Sequence, residues 1–150
     1  MTTEPWDDAA ATFDEAPDHG LTDPAVRAAW RELLLGVLPP APADVADLGC
    51  GTGTLTRLLS DEGYRVDGLD LSPEMLRHAR QKAPGARFVL GDAADPALER
   101  AAYDVVLCRH VLWALPSPED AFARWVALLR PGGVVVLVEG RWGAGARGPG

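Results

Sequence analysis

The sequence predicts an α/β domain built on an open, doubly wound, mainly parallel sheet of about five strands. Short apolar runs alternate with segments of helical spacing, which implies parallel pairing through crossovers. Runs such as "VVVLV", Val134–Val138, are apolar throughout, as expected of strands covered on both faces. The turn "GCGTG", Gly49–Gly53, directly follows the first strand-like run, where such a sheet opens towards its ligand.

Residues 1–43 read as an N-terminal helical cover. Its start, "MTTEPWDDAAATFDEAPDHG", is acidic and lacks an apolar core, unlike a secretory signal. Asp23 then suits a helix N-cap and Pro24 the first helical position. Val26, Trp30, Leu33, Leu34 and Val37 recur at helical spacing, and Pro39-Pro40 stops the run.

The α/β core is expected over residues 44–139. A strand, Val45–Leu48, leads into the glycine turn, and a helix from Thr54 to Glu62 stops at Gly63. "YRVDGLDL" is a strand, and "SPEMLRHARQKA" a helix capped by Ser72, with Pro73 and Glu74 in its first turn. "ARFVLGD" is a strand, followed by the short "ADPALERA" and the strand "YDVVLC". "SPEDAFARWVALL" is a helix capped by Ser117, with Phe122, Trp125, Val126 and Leu129 on one face. "RPGG" turns the chain into the fifth strand, "VVVLVE". Residues 140–150, "GRWGAGARGPG", read as a flexible tail.

The 150 residues suit one domain, with no apolar run near the roughly 20 residues of a spanning helix. A net charge of −8, with Lys82 the only lysine, argues against nucleic acid as partner. Cys50 and Cys108 have neither metal nor disulfide-framework spacing and read as reduced thiols. The expected setting is the cytoplasm, with no membrane partner and no metal.

The glycines follow G-x-G-x-G, not the dinucleotide fingerprint G-x-G-x-x-G, because Thr54 holds the sixth place. No lysine or arginine lies between Asp44 and Thr56, and Asp47 adds a carboxylate. Like charges repel by several kcal/mol at about 4 Å and an effective ε near 20, so a diphosphate is disfavoured. A ligand with an ammonium and a carboxylate suits an aspartate plus helix-end amides better. An amino acid joined to a nucleoside is such a ligand. Asp70, about 20 residues beyond the first glycine, suits both ribose hydroxyls. Asp92 suits an exocyclic adenine amine, or else caps the short segment after it.

Together "VADLGCGTG", "GLDLSPEML", "GDA" and "YDVVLCRHVLWAL…LRPGG" resemble a class I S-adenosylmethionine-dependent methyltransferase. The likeness is closest to the small-molecule, type 11/25-like branch and covers residues 44–139. It implies a Rossmann-like sheet of order 3-2-1-4-5, with S-adenosyl-L-methionine as cofactor and a small-molecule acceptor. By position, Asp47, Gly49, Cys50, Gly51 and Gly53 would surround the methionine part, and Asp70 the ribose. Leu71 and Met75 would pack near the adenine, Asp92 and Ala93 would meet its edge, and Cys108 and Arg109 would lie beside the sulfonium. Trp6 or Phe13 would close over the cofactor.

Several side chains have a plainer reading. Cys50 is a small filler, Trp113 and Trp125 belong to the core, His19 and His78 to the surface, and Arg109 either meets the ligand or pairs with a loop acid. His110, just past the fourth strand, is the candidate base, or a residue that hydrogen-bonds its loop. Base-methylating relatives commonly carry an Asn/Asp-Pro-Pro-aromatic motif where this chain reads "CRHVLW". The family's sixth and seventh strands have no counterpart in these residues, and the expectation is a truncated form that retains mainly cofactor binding. The alternatives are an unusual short form, or an assembly, self-association with a second copy included, in which a partner covers the bare fifth-strand edge. Two other functions fit the residues: a non-catalytic module for S-adenosylmethionine or S-adenosylhomocysteine, and an NAD(P)-binding domain.

Overall fold

The computed structural model describes residues 23–109 and 115–138. Trp6, Phe13, His19, His110, Trp113 and the stretch from Gly140 lie outside the described residues.

The first helix, α1, runs Pro24–Val37, and the Asp23 carboxylate accepts from the Ala25 amide at 2.8 Å. The strand β1, Asp44–Leu48, enters the glycine turn and α2, Thr54–Asp61. Next come β2, Arg65–Asp70, and α3, Pro73–Lys82, whose Ser72 cap accepts from the Met75 amide at 3.1 Å. Then β3, Arg87–Leu90, and β4, Tyr103–Arg109, flank a segment that folds as turns. Last are α4, Pro118–Leu128, and β5, Leu129–Val138. Ser117 holds the α4 cap position but its side chain makes no capping bond.

All pairings are parallel and the strand order is β3-β2-β1-β4-β5, as expected. The order reverses between β1 and β4, the switch point where such sheets hold ligands. On one face Leu34 and Leu38 meet Leu55, Leu58 and Leu59 of α2 over Val45, Val66, Val105 and Leu107. There α3 packs through Leu76 and Ala79 on Cys50 and Phe88. On the other face α4 seats Ala121, Trp125 and Leu128 over Ala46, Leu48, Leu69, Val106 and Cys108. Alternation along each strand therefore aims Asp47, Asp70 and Arg109 to the α1–α3 side.

Four expectations are corrected. Leu33 and Val37 are more than half exposed, at 57% and 54%, while Leu38 joins the core. The buried stripe of α1 is rotated towards Val26, Trp30, Leu34 and Leu38 because the sheet lies on that side. On α4, Trp125 is buried as expected, but Phe122 and Val126 are exposed, and Ala121 and Leu128 form the contact face. "RPGG" lies within β5 as an irregularity, with two steps along β4 (Tyr103 to Val105) matched by five along β5 (Leu129 to Val134). Nor is β5 covered on both faces among the described residues, since Val134 and Leu137 are exposed.

Candidate functional site

The glycine turn takes left-handed backbone at Gly49 (φ 74°), Gly51 (φ 58°) and Gly53 (φ 84°), which residues with a Cβ rarely adopt. Four of its amides are already bonded. Gly49 and Cys50 donate to the Leu69 carbonyl at 2.7 and 3.0 Å, Gly53 to the Cys50 carbonyl at 3.0 Å, and Gly51 to Asp70 Oδ2 at 2.9 Å. The end of β2 thus holds the turn. A diphosphate gripping these four amides would have to displace those bonds.

Asp47 is buried at the end of β1 and accepts from the Thr56 hydroxyl at 2.7 Å. Burial pushes its carboxyl up to about 6, against the Thr56 hydrogen bond and the Arg109 charge, which lower it, while Asp70 raises it further. Near neutral pH it is an anion under strain from lost hydration, a group that gains from an incoming cation.

Asp70 has a structural task as well as its expected one. Oδ2 takes the Gly51 amide, and Oδ1 takes the Ser72 amide at 3.0 Å, so one carboxylate links the turn, β2 and the start of α3. Leu71 is half-buried beside it, and Met75 is buried in the first turn of α3. Asp92 Oδ1 accepts from the Ala94 amide at 2.8 Å, the capping arrangement, and its side chain is exposed. Ala93 is buried, and its carbonyl accepts from Trp125 Nε1 at 2.7 Å, which ties this loop to α4.

Both cysteine side chains are buried. Cys50 is packed among Leu76, Ala79 and Phe88, and burial pushes its thiol well up, as suits a filler. Cys108 is buried on the α4 face, opposite Arg109. The Arg109 guanidinium lies over the Trp30 ring, 5.7 Å from its centroid. His78 is half-buried beside Arg77.

Three participants were invisible in the sequence. Thr56 follows Asp47 by nine residues, and only the return of α2 places it there. Trp30 comes from another element. The Lys82 ammonium lies 3.2 Å from Thr52 Oγ1 and 3.1 Å from Thr54 Oγ1, so the turn is not without positive charge. The local charge count omitted it because α3 delivers it from 28 residues beyond Thr54. Among the described residues no group of three or more His, Cys, Asp or Glu is arranged for a metal, and no helix is long and apolar enough to cross a membrane.

This donor set fits an adenosyl sulfonium amino acid: a buried carboxylate for its cationic end, a second carboxylate at the β2 end, and glycine backbone between them. Comparison with known proteins agrees. A family model described as a methyltransferase domain matches residues 46–137. The chain is 39% identical over 134 residues to a trans-aconitate 2-methyltransferase of Acidovorax sp. (strain JS42), covering 88% of this chain and 48% of the relative. It is 38% identical over 131 residues to a malonyl-[acyl-carrier protein] O-methyltransferase of Serratia marcescens, covering 86% and 48%. The chain thus spans about half the length of these relatives. A solved S-adenosylmethionine-dependent methyltransferase from Mesorhizobium loti superposes with a TM-score of 0.66 at 30% identity, over 71% of this chain and 50% of that one. The chain belongs to the methyltransferase-domain family, in the class I group whose cofactor is S-adenosylmethionine.

Proposed function

We propose that the protein transfers the methyl group of S-adenosylmethionine to a small carboxylic acid. The observation that carries this reading is the buried Asp47 carboxylate at the switch point, bonded to Thr56 and within electrostatic reach of Arg109. The cofactor supplies an activated methyl group on a sulfonium, so the chain's own work is binding, alignment and proton handling. Asp47 attracts the cofactor's cationic end, the glycine turn lies along its methionine part, and Asp70 holds the ribose. Leu71 and Met75 flank the adenine, with Asp92 and Ala93 at its edge.

Arg109, at the end of β4, supports an anionic acceptor, and the two relatives named above bear the names of acid substrates. His110 follows it in the chain and is proposed as a hydrogen-bond partner that orients the carboxylate oxygen, and as the base only for an acceptor atom that still carries a proton. The acidic charge supports a small acceptor over nucleic acid, and two buried thiols outside any disulfide support a cytoplasmic setting. The exposed Val134 and Leu137 of the edge strand support pairing with another strand, a second copy included.

The test is calorimetric titration with S-adenosylmethionine, S-adenosylhomocysteine and NAD, followed by labelled methyl transfer to a panel of small carboxylic acids, amines and phenols. Binding of both adenosyl ligands with label on an acid is expected. Binding of NAD alone overturns the cofactor; binding without any transfer leaves a non-catalytic module.

A further inference from the structure

We infer that Lys82 is a positioning residue for the cofactor-binding glycine turn, holding the side chains of Thr52 and Thr54. The inference rests on the turn's role in binding the adenosyl ligand. Three glycines with left-handed backbone make an intrinsically floppy segment, and a ligand that needs it ordered loses affinity to that ordering. The Leu69 carbonyl and the Asp70 carboxylate restrain it.

Helix α3 restrains it as well. Gly53 approaches so closely that a Cβ there would stand 2.9 Å from Ala79 Cβ. One turn further along α3, Lys82 reaches both threonines flanking Gly53, whose side chains lie in the buried set. Arg57 of α2 donates to the Lys82 carbonyl at 2.8 Å, which fixes the base of that side chain.

The placement is not explained by helix stability alone. A cation suits the C-terminal end of α3, but it is unfavourable at the N-terminus of α2, where Thr54 begins that helix. What the ammonium gains there is a pair of buried hydroxyl acceptors on either side of a left-handed glycine. The result is a turn gripped at Gly51 by one end of α3's connection and at Thr52 and Thr54 by the other.

The experiment titrates S-adenosylhomocysteine into the parent, Lys82→Met, Thr54→Val and the double variant, with amide exchange followed by mass spectrometry. Lys82→Met should bind about fivefold to tenfold more weakly, the double variant no worse than Lys82→Met, because the two changes remove one interaction. Exchange at Gly51–Thr54 should accelerate while β1 and β4 keep their protection. A folded Lys82→Met that binds within twofold of the parent overturns the inference; if that variant fails to fold, Thr54→Val binding within twofold does so. Should the parent itself bind no adenosyl ligand, the functional reading falls, and unchanged exchange at the turn then decides against Lys82 separately.

Discussion

The hydroxyl of Thr56, in the first turn of α2, donates to the buried carboxylate of Asp47 at the end of β1 across 2.7 Å. Among the described residues this is the side-chain hydrogen bond recorded for the carboxylate of a residue that is 2% exposed. Burial, which the bond only partly offsets, makes Asp47 both a cost to the fold and an attraction for a cationic ligand.

The first prediction follows from that opposition. Burial raises the Asp47 carboxyl from 3.8 to about 6 in the folded chain. Its contribution to stability is therefore fully present below about 3.8 and lost as pH rises through about 6. Above that range the ionised group costs the empty protein about 3 kcal/mol relative to its neutral form. Asp47→Asn should melt at or above the parent at pH 7, and the difference should shrink by pH 5. S-adenosylmethionine affinity should fall about tenfold or more, the scale of a charge-assisted hydrogen bond. Melting curves and titrations at both pH values check the two signs; a variant that melts lower and binds unchanged refutes them.

Gly53→Ala should destabilise the fold by about 2–4 kcal/mol through left-handed strain and contact with Ala79. The backbone there has φ 84°, and the new Cβ would lie 2.9 Å from Ala79 Cβ and 3.0 Å from its Cα. Ala79→Gly in the same chain should recover only the Cβ contact, leaving the contact with the Ala79 Cα and the backbone strain. Denaturant unfolding measures both, and a single-variant loss below about 1 kcal/mol contradicts the packing described.

Asp70→Ala should weaken S-adenosylhomocysteine binding by roughly 1.5–3 kcal/mol. Because the same carboxylate holds the Gly51 and Ser72 amides, lost affinity alone does not identify a ribose contact. A 2′-deoxy analogue separates the two roles. The parent should prefer the ribose form, and Asp70→Ala should bind both alike. Equal preference in parent and variant removes the ribose assignment.

His110→Ala should slow turnover about 100-fold if the residue serves as base. Cofactor affinity should stay within a factor of about three. A rate close to the parent's assigns His110 to its loop alone.

Much of the architecture was legible because its signals are short-range. Asp23-Pro24 and Ser72-Pro73 announce helix starts, and Ser72 does cap α3. The apolar runs at Val45–Leu48 and Tyr103–Cys108 became the covered centre of the sheet, β1 and β4. Asp70 was found as a strand-end carboxylate beside the glycine turn, but its bond to Gly51 joins residues 19 apart and could not be read from either.

Local rules mark where a strand ends, where glycine must bend the chain and which residue opens a helix. Those features follow from backbone sterics and hydrogen bonding within a few residues. The rotation of α1 that exposes Leu33 and buries Leu38, the long bulge in β5, and the arrival of Lys82 and Arg109 beside the turn belong to packing. Helical spacing narrows the apolar face without choosing which neighbour covers it, and charge counted along a chain says little about charge gathered in space. Only the folded sheet, by setting α3 against the glycine turn and α1 against β4, settles both.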